Sequence, residues 1–82
     1  MMNNREKLKA LLIDVFLLQE DEFSFDLKRS DVGTWDSLGV VSMAVGIQDE
    51  FGYHMAPEEA VGITGVYDII ELLESKGIDF NE

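Results

Sequence analysis

Ser37 is the residue of this chain best placed by its neighbours to do chemistry, since Asp36 precedes it, Leu38 follows it, and a helical pattern begins there. Serine can act as a nucleophile, but an esterase elbow needs glycine two positions before it and two after. Gly39 meets the second requirement, whereas Trp35 stands at the first and would block the tight turn. A triad would have to use His54, the single histidine, which reads as a solvated loop residue. Serine and aspartate are also both favoured helix caps. The chain has no cysteine, which excludes disulfides, thiolate metal sites and thiol nucleophiles within it. The acid pairs Asp49-Glu50 and Glu58-Glu59 are adjacent in sequence, so neither pair shares a helix face, and no calcium-loop pattern is present; no metal site is expected.

The elements that must carry Ser37 follow from hydrophobic rhythm. Residues 4–18 repeat apolar positions at Leu8, Leu11, Leu12, Val15 and Leu18, with Phe16 flanking, and Asn3 or Asn4 can cap the start. Residues 19–36 lose the rhythm and form a long loop with aromatic anchors. Residues 37–51 are helical, with Gly52 as the stop. Pro57 followed by Glu58 and Glu59 suits the start of a short helix. Residues 65–76 are helical again, with Thr64 as N-cap and Gly77 as C-terminal stop. No segment alternates as a strand would. The expected fold is all-α: a small four-helix bundle of three principal helices and one short one, with a long loop between helices one and two. At 82 residues this is one domain, 1–82, with its core at about 5–77. A core this thin rarely frames a deep catalytic cleft.

The helix after Ser37 has two apolar stripes. Val40, Met43, Ala44, Ile47 and Phe51 fall on one narrow face, which is the core side. Leu38, Val41 and Val45 form a second stripe, rotated by more than a quarter turn, which either packs under the long loop or faces a partner. A third face carries Gly39, Ser42 and Gly46. Each glycine costs about 1 kcal/mol relative to alanine, and nothing in the sequence demands close contact there, so tolerance is the expectation.

The net charge is −11, and no Lys or Arg occurs between Ser30 and Ser75. Nucleic acid and anionic membranes are poor partners for such a surface, and basic patches on other proteins are good ones. Mutual repulsion among the acids should raise carboxyl pKa values. No apolar run approaches a membrane span and no signal-peptide pattern is present, so a monomeric cytoplasmic protein is expected.

Asp-Ser-Leu at 36–38, followed in order by QDEFG at 48–52, MAPEEA at 55–60 and ITGVYDIIELL at 63–73, resembles an acyl carrier protein, of the phosphopantetheine-attachment carrier superfamily. The resemblance covers about residues 5–77. It implies that Ser37 is not catalytic and the protein not an enzyme. A phosphopantetheinyl transferase would attach 4′-phosphopantetheine from coenzyme A to Ser37, and the arm's thiol would carry acyl groups as thioesters. Asp36, Leu38, Val41, Val45, Asp49 and Glu50 would then dock acyl-transferring, ligase or synthase enzymes bearing basic patches. Val40, Met43, Ala44, Ile47 and Met55 would line an acyl-chain shelter. Such carriers usually have an acid directly after Asp-Ser-Leu and another one turn on, where this chain has Gly39 and Ser42. Gln48 also replaces a common acid. These departures point to a specialised fatty-acid, lipid or polyketide carrier. A carrier of aminoacyl or peptidyl groups is the alternative within the superfamily, and an acidic helical interaction module without a prosthetic group is the alternative outside it.

Overall fold

The computed structural model describes residues 3–81; Met1, Met2 and Glu82 of the expected single domain lie outside the described residues. The described residues form four helices, α1 (Asn4–Val15), α2 (Ser37–Phe51), α3 (Pro57–Gly62) and α4 (Val66–Ser75), with two single 3₁₀ turns in the connection between α1 and α2. No strand occurs among the described residues, and the fold is the expected all-α bundle.

α1 begins where the Asn3 side chain accepts a hydrogen bond from the Glu6 N–H (2.9 Å). It buries Leu8 and Leu12 and ends at Val15, three residues before the apolar rhythm runs out. Leu17 adopts φ 57° and is 80% exposed, and the Leu18 N–H closes the end on Ile13 O (2.9 Å). This is the left-handed helix end that glycine usually supplies. Phe16, at that bend, is fully buried and stacks on Trp35 with ring centroids 4.6 Å apart.

The long connection is held down by both charge and rings. Phe23 and Phe25 pack edge to face (5.1 Å). Lys9 and Arg5 of α1 lie over them at 6.0 and 5.4 Å, and Lys9 also pairs with Glu20 (3.0 Å). Further on, Lys28 and Gly65 form an isolated antiparallel bridge, flanked by Arg29 N–H to Thr64 O (2.8 Å) and Val66 N–H to Leu27 O (2.9 Å).

α4 buries Val66, Ile69, Ile70 and Leu73. Its N-cap is Gly65 rather than the expected Thr64, whose hydroxyl and N–H are both engaged by Asp68 Oδ2 (2.6 and 2.9 Å). Gly77, at φ 89°, ends it as expected, with Ile78 N–H bonded to Leu73 O (3.1 Å). Past it Phe80 is fully buried against Phe51 (5.8 Å), and Arg5 Nε donates to its carbonyl (2.7 Å). A core residue thus lies past the last helix.

Glu59 and Asp68 move against the expected rise in carboxyl pKa. Two carboxyls move clearly, and both move down. Glu59 accepts from the Tyr53 hydroxyl (2.6 Å) and the Ala56 N–H (3.0 Å), which lower its pKa and raise that of Tyr53. Asp68 is lowered by the Thr64 hydroxyl and N–H. These local donors stabilise the ionised carboxylates more than burial disfavours them. A folded pKa below the unfolded one stabilises the fold above the ordinary carboxylate range, and that stability is lost as pH falls through the folded value. Asp68→Asn is therefore expected to melt below wild type at pH 7 and to converge with it as pH falls through the lowered folded value of Asp68. Melting curves across that range check it; a constant gap would mean that the bonds to Thr64, not the charge, set the difference.

Candidate functional site

Asp36, not Ser37, caps α2: its Oδ1 accepts from the Gly39 N–H (3.0 Å). Ser37 is the first helical residue, exposed, and its hydroxyl makes no hydrogen bond among the described residues. The backbone N–H groups of Ser37 and Leu38 are likewise unbonded there, as the first donors of a helix are.

The approach to Ser37 is rigid. Trp35 is 2% exposed, its N–H donates to Val32 O (3.0 Å), and its carbonyl accepts from Arg29 Nε (2.9 Å). The Thr34 hydroxyl donates to Phe16 O (2.5 Å). Trp35 thus packs the loop onto the bundle, as its bulk suggests. Its indole N–H is buried with no acceptor among the described residues, so stacking, not hydrogen bonding, holds the ring.

The glycines of α2 have a packing reason, against the expectation of mere tolerance. A Cβ on Gly39 would collide with the Thr34 carbonyl oxygen and approach Phe16 Cε1 at 3.2 Å. A Cβ on Gly46 would collide with a Leu11 methyl. Gly39 therefore lets the loop backbone lie against α2 two residues past Ser37. With the loop in this position a side chain at residue 39, an acid included, has no room.

A groove of about 440 Å³ opens beside Ser37 between α2 and α3. Val40, Val41, Ala44 and Val45 form the α2 wall, and Met55, Pro57, Ala60 and Val61 the opposite one. Arg29 sits with Ser37 in this groove; Gln48 and His54 sit at the other end, His54 Nδ1 being 2.9 Å from Gln48 Oε1. Ser37 and Gln48 are 11 residues apart on one helix, a run of about 16 Å. Of the five residues expected to line a shelter, Val40, Ala44 and Met55 do line the groove. Met43 and Ile47 are 0% exposed and lie in the closed core instead. Sequence reasoning missed Arg29, Gln48, His54 and the α3 wall. Pro57, Ala60 and Val61 at i, i+3 and i+4 were the available signal for the last.

The second apolar stripe of α2 is exposed rather than packed under the loop: Leu38, Val41 and Val45 are 78%, 60% and 56% exposed. Asp49 follows Val45 by one turn and extends this stripe; with Glu50, about 100° further round, it borders the cleft against Leu11 and Asp14 of α1, and Glu50 also lies with Lys7 there. Asp36 is exposed at the head of the helix. No group of three His, Asp or Glu side chains among the described residues could hold a metal, and no helix there is long and apolar enough to cross a membrane.

No family model matches the chain. An acyl carrier protein from Petrotoga mobilis is 32% identical over 71 residues, covering 87% of this chain and 84% of its own. An acyl carrier protein from Coprothermobacter proteolyticus is 27% identical over 70 residues, covering 85% of each. Sequence kinship over nearly the whole chain, joined to this fold, makes the chain a member of the acyl carrier protein family.

Proposed function

We propose that this protein is a non-catalytic carrier that holds acyl groups on a 4′-phosphopantetheine arm attached to Ser37. The observation that carries this reading is an exposed, unbonded serine at the first position of α2, beside an apolar groove. The residues fit the group. Ser37 Oγ is open to a transferase, the free N–H groups of Ser37 and Leu38 favour a phosphodiester, and the partial positive charge of the helix start adds to this. When bound, the arm supplies the thiol that the chain lacks, and acyl groups ride on it as thioesters. The groove's apolar walls then give an acyl chain a place out of water. They favour an acyl cargo over an aminoacyl one.

Partner enzymes would meet the protein along α2. Leu38, Val41 and Val45 offer an apolar strip with Asp36 and Asp49 at its two ends, a surface suited to an apolar patch rimmed by Lys or Arg. Glu50 would contribute at the edge. The shortage of acid at Gly39, Ser42 and Gln48 makes this face less charged, which supports a specialised set of partners.

Incubation with coenzyme A and a phosphopantetheinyl transferase, read by intact mass, tests the reading. One added phosphopantetheine is expected. No addition, under conditions that load a control carrier, would leave the acidic interaction module as the better account. The docking face has its own test. Leu38→Ala removes an exposed side chain, so melting should stay within about 0.5 kcal/mol of wild type. It should lower kcat/KM for loading or acyl transfer by about 10-fold, as loss of a contact worth about 1.4 kcal/mol would. An unchanged kcat/KM across transferase and acyl-transfer partners would remove Leu38 from the interface.

A further inference from the structure

Arg29 borders the groove that opens at Ser37 and forms no ion pair among the described residues. Its backbone N–H is bonded to Thr64 O (2.8 Å) and its Nε to Trp35 O (2.9 Å), so both its base and its head are tied to the frame around Ser37. It lines the same groove as Ser37 and is only half-buried. The chain carries 17 acids against 6 Lys and Arg, yet no carboxylate lies within ion-pairing distance of Arg29 among the described residues. Of the acids around it, Asp31 is turned to the Lys28 N–H (3.3 Å) and Asp36 to the Gly39 N–H (3.0 Å), while Asp26 and Asp68 border a second cavity with Arg29 without pairing with it. With Nε engaged, a guanidinium keeps about four N–H donors on its two terminal nitrogens. A fixed cation with open donors, in a strongly acidic chain, is suited to an anion that arrives later.

We propose that Arg29 is a positioning residue for the phosphate of the arm on Ser37. The inference rests on the carrier reading given above. Arg29 offsets the repulsion between that phosphate and the Asp36 carboxylate. It also biases the root of the arm toward the mouth of the groove, where its own head is held by Trp35 O. Ser37 alone fixes where the arm is attached; Arg29 fixes which way it leaves.

The test compares unloaded and loaded forms of wild type, Arg29→Gln and Arg29→Lys, with loading established first by intact mass. Loading adds negative charge to a chain already at −11. Wild type should nevertheless melt about 2–4 °C higher when loaded, at low salt. In Arg29→Gln the sign should reverse, because the new charge then faces Asp36 with nothing opposite. Arg29→Lys keeps the charge without the fork and should fall between. High salt should shrink all three differences. Taking the difference within each variant cancels whatever the lost Trp35 bond costs the fold. In wild type, the Arg29 Nε–H resonance should also move on loading. Equal loading shifts in wild type and Arg29→Gln, or an unmoved Arg29 resonance, would overturn the proposal. If Arg29→Gln is not loaded, the Lys variant and the wild-type resonance decide by the same criteria. If wild type itself gains no mass, the carrier reading has failed, and this proposal falls with it before any melting curve is taken.

Discussion

Ser37→Ala should abolish loading completely and leave the fold almost untouched. The hydroxyl has no partner among the described residues, and the capping bond belongs to Asp36. Alanine is the best helix former, so the first position of α2 loses nothing by the change. The melting temperature should stay within about 2 °C of wild type. Asp36→Ala is the contrast. It removes the cap and should cost about 1 kcal/mol, or about 4–8 °C, while the serine remains in place. Intact mass and melting, measured on both variants, separate chemistry from structure. A Ser37→Ala protein that still gains the arm would put the attachment on another exposed serine, such as Ser30 or Ser42. One that melts far below wild type would give the hydroxyl a structural role that the geometry denies.

Gly39→Ala should destabilise the protein by about 2–3 kcal/mol, although helix propensity alone would make it more stable by about 1 kcal/mol. The added methyl meets the Thr34 carbonyl oxygen, which is backbone, and the Phe16 ring, which is stacked on Trp35. Thr34 cannot withdraw without breaking its hydroxyl bond to Phe16 O. Gly46→Ala differs in kind. Its methyl meets the end of the Leu11 side chain, which is half-buried and can rotate. That variant should stay within about 1 kcal/mol of wild type. Urea unfolding of the pair checks the contrast. A Gly39→Ala protein as stable as wild type would show that the loop yields easily and that residue 39 has room for a side chain after all.

These glycines also mark where reading the chain alone stops. Periodicity and punctuation located α2 to the residue, because Asp36, Gly52 and the apolar rhythm act locally. The same signals found α4 and its stop at Gly77. The end of α1 was missed, since an exposed leucine in a left-handed conformation is disfavoured locally and persists where Phe16 reaches Trp35. The glycine face of α2 was misread for a related cause: what approaches it comes from Thr34 and Leu11, outside the helix. The inner stripe named a face but could not say which flank stays open. Hence Val40 and Ala44 reach the groove while Met43 and Ile47 are sealed. Arg29 left no pattern at all, because its position depends on acceptors at Thr64 and Trp35 that meet it only in the folded chain.

The bridge between Lys28 and Gly65 has a consequence for how the molecule opens. A connection as long as the one between α1 and α2 would ordinarily fray first and exchange its amide protons fastest. Here the amides of Arg29 and Val66 each need the other segment as acceptor. Deuterium should therefore enter both at one common rate, set by the release of α4. A protease should find the segment before Ser37 only as often as α4 lets go. The last helix of the bundle, although it supplies no wall of the groove, is thereby the latch on the loop that leads to Ser37.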